Sequence, residues 1–268
     1  MKKRIIGAAS LVLLLASSNL FADVLKNDRF NLRLGGFFVT NTEATISFVS
    51  PALAGISINT TRDLSMNDTT NVFRLDGYYR FTEQSSIDFS YYRVNRDGST
   101  VLDTEIHWGG NIYPINANLD SSLNTDTYKI AYVWSFHHDE KVELGLSAGL
   151  HITSFNVKLK GTLNDITIHN DSNSATAPLP VVGFKLNYNI TPKLIWMNKL
   201  ELFYIKIDSF KGNFSDFMTA LEYRAFDNIG FGVGLNSINS DLELEEGDGL
   251  LSLDTTNLGA LAYASIYF

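Results

Sequence analysis

The sequence predicts an all-β chain that closes into an antiparallel, up-and-down transmembrane β-barrel, with ten strands as the expected number and eight to twelve as the range. Three observations predict this fold. After residue 22 the chain is dominated by apolar and polar residues that alternate with a period of two, several of these runs are unusually long, and short connectors alternate with long polar ones.

The first 22 residues have the pattern of a secretory signal peptide. Residues 2–4 are basic, and residues 5–16 form an apolar run that is too short to be a spanning helix. A polar stretch then leads to an expected cleavage after Ala22, although Leu20 occupies a position where a small residue is preferred. The predicted organisation is therefore a signal peptide over 1–22 and one outer-membrane β-barrel domain over 23–268.

The composition excludes several classes of protein. Loss of three basic residues with the signal peptide would change the formal net charge from −8 to −11. So acidic a chain lacks the basic surface that nucleic-acid binding requires, and no nucleic-acid partner is expected. The absence of cysteine removes both a disulfide framework and the lipid-attachment residue of a lipoprotein.

The clearest predicted strand lies in residues 72–81, and the longest unbroken alternation, of eleven residues, lies in residues 142–152. Apolar residues take every even position, while glycine, small, charged or histidine residues take every odd one. Residues 72–81 and 128–136 show the same two-faced pattern. Because a transmembrane strand needs about 9–11 residues, these runs are long enough to cross a bilayer.

Ten strands are predicted, joined by two classes of connector. The short connectors lie at 82–85, 138–140, 191–192 and 226–227 and the long ones at 49–70, 98–123, 158–178 and 241–255, with one short exception at 208–211. The predicted strands are 30–48, 71–82, 86–97, 124–137, 141–157, 179–190, 193–208, 212–225, 228–240 and 256–268.

The connectors also predict an orientation. Short periplasmic turns and long extracellular loops are typical of outer-membrane barrels. An even number of strands then puts both termini in the periplasm. Within the loops, residues 98–123 are a candidate to extend two strands above the membrane as a hairpin.

The last strand carries a second signal. Residues 258–268 end on Phe268, and Ala264 and Ile266 share its face. This resembles the C-terminal assembly signal of bacterial outer-membrane proteins, which implies recognition by the barrel-assembly machinery and contact with outer-membrane lipid and lipopolysaccharide. The whole pattern resembles the small barrels typified by the OmpA transmembrane domain and OmpW, but those barrels have eight strands.

The inward face of the predicted barrel is rich in charge. Since buried charges persist only when they are paired, these side chains predict either an ion-pair network that fills a narrow interior or a polar path for small solutes. The residues of this predicted lumen charge network are Arg74, Asp76, Arg80, Asp88, Lys129, Glu143, His151, Lys185, Lys199, Glu201, Asp216, Glu222 and Arg224.

Catalytic, cofactor and metal sites are not predicted. Of the five histidines, His151 is the best catalytic candidate because Ser147 and Thr153 share its face, but such neighbours are too common to indicate a triad. The acidic residues between 241 and 254 lack the ordered spacing of a calcium-binding loop.

The leading functional hypothesis is a non-enzymatic integral outer-membrane barrel that has a structural role in the envelope or passes small solutes. A surface-loop binding protein or adhesin is the alternative, because four connectors are long. A lipid-modifying outer-membrane hydrolase, which would depend on His151, is the third hypothesis.

Overall fold

The computed structural model describes residues 28–50, 53–108, 110–207, 210–246 and 249–268, and these residues form thirteen β-strands. In the described part of the chain, no helix is long and apolar enough to cross a membrane. The strands are β1 (Phe30–Ser50), β2 (Leu53–Asn59), β3 (Thr70–Thr82), β4 (Ser85–Val101), β5 (Ile106–Trp108), β6 (Asn111–Tyr113), β7 (Asn118–His138), β8 (Val142–Leu163), β9 (Ile166–Thr191), β10 (Leu194–Ile207), β11 (Phe210–Phe226), β12 (Ile229–Glu246) and β13 (Gly249–Tyr267).

Ten of these strands close into an antiparallel barrel, as predicted. The order around the barrel is β1-β3-β4-β7-β8-β9-β10-β11-β12-β13, and β13 returns to pair with β1. At the seam, the amide of Phe30 donates to the carbonyl of Phe268 at 3.1 Å, and the amide of Phe268 donates back at 2.9 Å. A closed sheet satisfies backbone groups from within, which a hydrocarbon environment requires.

Two small additions complete the sheet. Strand β2 pairs with β1 between Thr45 and Ser50, beyond the point where β3 ends its own pairing with β1 at Val39. Strands β5 and β6 form a separate hairpin, in which Ile106 pairs with Tyr113. We refer to β5 and β6 as the cap hairpin.

The outward face carries a set of exposed apolar side chains near the end of the barrel where Phe30 and Phe268 meet. We call this set the apolar belt. It follows from the period-two alternation, because each strand turns its apolar face outward and its other face toward the barrel interior. Its members include Phe73, Ile130, Trp134, Leu146, Leu150, Val182, Phe184, Leu202, Phe217, Leu221, Val233 and Leu235.

The prediction that the four long connectors are loops is wrong, because strands occupy much of each connector. Strands β8 and β9 continue to a two-residue turn at Asn164 and Asp165, both with positive φ. Strands β12 and β13 likewise occupy most of 241–255. Beyond the apolar belt the outward positions meet water, so polar residues replace apolar ones there and the alternation fades although the strand continues.

The predicted extension of residues 98–123 agrees with the structure. Strands β4 and β7 stay paired as far as Val101 and Asn118, and the cap hairpin lies between them in sequence. The upper parts of β4, β7, β8 and β9 therefore form a β-extension that rises beyond the apolar belt. The predicted signal peptide over 1–22 lies outside the described residues.

Candidate functional site

The barrel interior brings eight of the thirteen predicted charged residues into one central network. Its hub is Lys129, whose Nζ lies 2.6 Å from a carboxylate oxygen of Glu201 and 2.6 Å from one of Asp216. The other members are joined to this hub by ion pairs or hydrogen bonds, and they are Arg74, Asp76, Asp88, His151 and Lys199. Alternating positions on six strands point to the barrel axis, and this places the network there.

Lysine rather than a metal ion supplies the positive charge at the hub. His151, Glu201 and Asp216 offer three ligand atoms within 4.8 Å of one another, which is a spacing that a cation could use. The ammonium of Lys129 already contacts both carboxylates, and Lys199 lies 3.1 Å from the second oxygen of Glu201. The cluster is therefore compensated by two lysines, as a buried charge pair requires.

A second group lies nearer the short turns. Glu143 accepts hydrogen bonds from Arg80 at 2.6 Å, from Ser135 at 2.6 Å and from Asn187 at 2.9 Å, and it lies 3.6 Å from the ammonium of Lys185. A buried carboxylate with three donors keeps its oxygens satisfied away from water. This explains how Glu143 can be 1% exposed.

The last two predicted residues, Glu222 and Arg224, use partners that the sequence reasoning missed. Glu222 pairs with Arg33 at 3.2 Å and accepts from the hydroxyl of Tyr267, whereas Arg224 forms a two-bond pair with Asp28 at 2.6 and 3.1 Å. Arg33 shares the parity of inward residues on β1 and could have been found by that rule. Asp28 precedes the first strand, so alternation gives no signal for it.

An apolar layer fills the barrel beyond the charge network, and the sequence analysis did not foresee it. Phe214 connects the two, because its ring meets the His151 ring edge-on at 4.8 Å. The apolar layer consists of Phe37, Val39, Val72, Tyr92, Val94, Leu179, Val181, Phe203, Phe214, Ile238, Leu242 and Leu261. These residues share the inward parity of the charged ones, so apolar and charged sections are stacked along one axis.

The spaces left inside the barrel are small. A cavity of about 60 Å³ lies within the charge network, and another of about 50 Å³ lies between Phe214, Tyr92 and the strands beyond them. At about 10–15 Å³ for each water molecule, such cavities hold a few waters. Neither matches the 300 Å³ or more that is typical of a site for a small organic ligand.

A third buried section fills the β-extension. We call it the upper core, and it comprises Ala44, Ile58, Leu64, Met66, Leu102, Ile106, Tyr113, Ala117, Leu119, Leu123 and Leu159. Tyr113 of the cap hairpin is fully buried in it, and its hydroxyl donates to Asp171 at 2.6 Å. The upper core therefore attaches the cap hairpin to β9.

The Asp171 carboxylate, which lies beyond the apolar belt, accepts hydrogen bonds from the cap hairpin. Hydrogen bonds from Tyr113 and from the Asn111 amide, at 3.0 and 3.1 Å, lower the pKa of Asp171 below its ordinary value. A carboxylate whose pKa is lowered by folding stabilises the fold above its unfolded pKa. That contribution disappears as the pH falls through the folded pKa.

We therefore expect the cap hairpin to loosen in acid. In a Trp134→Phe/Trp196→Phe background, emission from Trp108 should stay constant above about pH 4 and shift to the red as the pH falls further. Asp171→Ala should show the red shift already at neutral pH, whereas Asp165→Ala, at the turn, should behave as the parent. Trp108 emission from Asp171→Ala that equals the parent's at neutral pH would contradict this role of Asp171.

His151 lies deep in the barrel interior. Its side chain is fully buried, its Nε2 is 3.1 Å from Glu201, and the apolar layer separates it from the open end of the β-extension. Thr153 is one of the two hydroxyl residues predicted to share the face of His151. Its hydroxyl forms a hydrogen bond with Thr127 at 3.4 Å and not with His151.

At the end of the chain, Phe268 is exposed on the outward face, and Tyr267 points inward and is buried. Ala264 and Ile266 share the face of Phe268 and pair across the seam with Leu34 and Leu32. Recognition of these three residues by the assembly machinery stays a prediction.

Comparison with known proteins gives a match in fold. No protein-family model and no curated protein sequence matches the chain. Among solved structures, the outer-membrane protease OmpT from Escherichia coli matches with a TM-score of 0.58 at 10% identity, over 91% of this chain and 98% of OmpT.

Two further similar structures match less closely. The transport unit of the autotransporter AIDA-I from Escherichia coli has a TM-score of 0.46 at 11% identity, over 96% of this chain and 94% of that one. The attachment invasion locus protein Ail of Yersinia pestis has a TM-score of 0.36 at 15% identity, over 88% and 97%. The match to OmpT, whose TM-score is 0.58, shows that the chain shares the β-barrel fold of that outer-membrane protein.

Proposed function

We propose that this chain is a non-enzymatic integral outer-membrane protein whose barrel is sealed and whose β-extension is presented at the cell surface for binding. The observation that carries the proposal is the filling of the interior. The charge network, the apolar layer and the upper core follow one another along the axis, and the cavities among them are of about 50–60 Å³. This arrangement favours the binding hypothesis over passage of solutes.

The proposed orientation has the termini in the periplasm. Both ends of the described chain meet at the seam, on the side of the short turns, as in the general pattern of outer-membrane barrels. The β-extension then lies outside the cell. Its outward face is polar across neighbouring strands, for example where Asp97 pairs with Ser122 and Ser122 pairs with Lys158.

The absence of enzymatic activity is part of the proposal. OmpT is a protease, but a likeness at 10% identity supports a common fold and carries no activity with it. His151 is enclosed between Glu201 and Phe214, so it offers no accessible base for a lipid substrate. A changed lipid A profile on overexpression would contradict this part of the proposal.

Conductance tests the sealing of the barrel. We expect the purified protein to give no discrete channel events in a planar bilayer into which a general porin inserts and conducts. Phe214→Ala/Leu179→Ala enlarges the space in the apolar layer but leaves the charge network and the upper core in series with it, so this variant and the outward control Phe184→Ala should also give no events. Regular channel events from the unaltered protein would overturn the proposed sealing.

Protease access tests the orientation. A protease site inserted between Asn164 and Asp165, at the tip of the β-extension, should be cut on intact cells. The matched insertion in the turn at 139–141 should be cut only after the outer membrane is permeabilised. The reverse pattern would place the β-extension in the periplasm and would overturn the proposed surface role.

A further inference from the structure

The wall of the barrel is uneven in height, and this leaves part of one edge of β9 without a strand partner among the described residues. Strand β10 pairs with β9 only from Leu194 to Leu202, whose partner is Val182. Beyond Val182, residues 166–181 of β9 pair with β8 on one side, and among the described residues no strand pairs with them on the other. At about 3.3 Å per residue, this open edge is about 50 Å long.

The exposure of side chains on β9 also indicates an open edge. Residues 172–176, which read Ser-Asn-Ser-Ala-Thr, are exposed at inward as well as outward positions. Natural sheets usually protect an exposed edge with charged side chains. Between residues 166 and 181 the only charged side chain is Asp171, and it is held by Tyr113 and Asn111.

Two prolines show which backbone amides face the open side. Pro178 and Pro180 pair with Ile152 and Leu150 in an unbroken register with β8. Proline has no N–H to donate, so it is accepted where the N–H would point away from the neighbouring strand. Even-numbered positions of β9 therefore face the open side, which leaves the N–H groups of Ser172, Ser174 and Thr176 available, and the prolines end the available edge near Ala177.

The two faces beside this edge differ in chemistry. On the inward side Phe155, Val157 and Ile168 are only partly buried against the apolar layer and the upper core. On the outward side Ser172, Ser174 and Thr176 are exposed and polar. A strand laid along the edge would therefore place apolar side chains inward and polar ones outward.

We propose that residues 166–177 of β9 form a docking edge that accepts an extended segment of another polypeptide by strand addition. The row of free N–H and carbonyl groups points to an extended backbone as the occupant, because such a backbone offers matching groups at the same spacing, and alternating apolar and polar side chains fit the two faces of the edge. The inference rests on the surface position proposed above for the β-extension. A second copy in the same membrane fits poorly, since strands tilted by about 35–45° would cross at about twice that angle.

Peptide binding to the detergent-solubilised full-length protein tests the proposal. The probe is a fluorescent twelve-residue peptide of alternating valine and threonine with lysines at both ends, followed by anisotropy. We expect saturable binding that Ser174→Pro weakens about tenfold or more, because it removes an amide donor from the edge and places a ring there. Ser174→Ala, which keeps the N–H, should bind as the parent does.

Further measurements separate the possible outcomes. A peptide that is N-methylated at alternate residues should fail to bind, and hydrogen exchange at residues 172, 174 and 176 should slow when the unmodified peptide is bound. No saturable binding, or equal binding by Ser174→Pro in a protein with the parent's heat-modifiable migration, would overturn the proposal. A dimer that Ser174→Pro dissociates would overturn it in favour of a second copy.

These results are independent of the surface test. The peptide experiment uses purified protein, so its failure alongside cleavage at the 164–165 insertion on intact cells removes the docking edge and leaves the surface role. Binding without cleavage on intact cells removes the surface role instead.

Discussion

Lys129→Met is expected to cost about 3–5 kcal/mol of unfolding free energy, because it leaves the buried Asp216 carboxylate without its lysine partner. The ammonium of Lys129 lies 2.6 Å from both Glu201 and Asp216, and these carboxylates are 1% and 2% exposed. The methionine side chain fills a similar volume, so the loss reports charge rather than a cavity. Urea unfolding in phospholipid vesicles, followed by tryptophan fluorescence, gives the difference.

A matched pair on the outward face provides the control for Lys129→Met. Arg93 and Asp126 are also 2.6 Å apart, but the Arg93 side chain is 53% exposed. Exposed pairs contribute about 0–1 kcal/mol, so Arg93→Met should have a small effect. In the interior, Lys129→Met/Asp216→Asn should recover part of the loss by removing the carboxylate that Lys129 alone pairs with, since Glu201 keeps Lys199 at 3.1 Å. Equal losses for Lys129→Met and Arg93→Met would show that the charge network does not stabilise the barrel.

Leu146→Arg is expected to cost about 2–4 kcal/mol, since it places a charge on the lipid-facing side near the middle of the apolar belt. Leu146 points outward from β8 and pairs across the strands with Trp134 and Phe184, which are also exposed on this face. The same unfolding experiment in vesicles measures the loss.

Asn156→Arg is the control for this effect. Asn156 lies on the same face of the same strand, beyond the apolar belt, where its cross-strand partners are Asn124 and Ser174. An arginine there meets water and should change the unfolding free energy by about 0.5 kcal/mol or less. A loss as large as that of Leu146→Arg would mean that the apolar belt has been assigned to the wrong stretch of the barrel.

The number of strands and the two faces of the barrel could be predicted because lipid and interior impose opposite demands on neighbouring residues. The alternation in residues 142–152 records this contrast directly, and the inward face of β8 is occupied by Glu143, Ser147 and His151 as the parity requires. The charged residues were found for the same reason. Which charged residue pairs with which could not be predicted, since pairing depends on where each strand lies around the barrel axis.

The β-extension was mistaken for loops because the contrast between the faces weakens outside a bilayer. In residues 172–176 the strand is exposed on both sides, so neither parity is apolar and the period disappears. The apolar layer was missed for a different reason. Phe214 and Leu179 have the inward parity, but an interior inferred from its charges alone gives no reason to expect a section without charge.

The seam has a consequence for biogenesis. Asn31 donates a side-chain hydrogen bond to the carbonyl of Ile266, 235 positions away along the chain, and the strands around them are the first and the last of the barrel. Contacts so distant in sequence form slowly, because a long stretch of chain must lose conformational entropy before the contacts can stabilise the fold. Because β13 pairs with both β12 and β1, the ring cannot close until β13 is in place, and a chain without β13 would leave one edge of β1 and one edge of β12 without a partner strand.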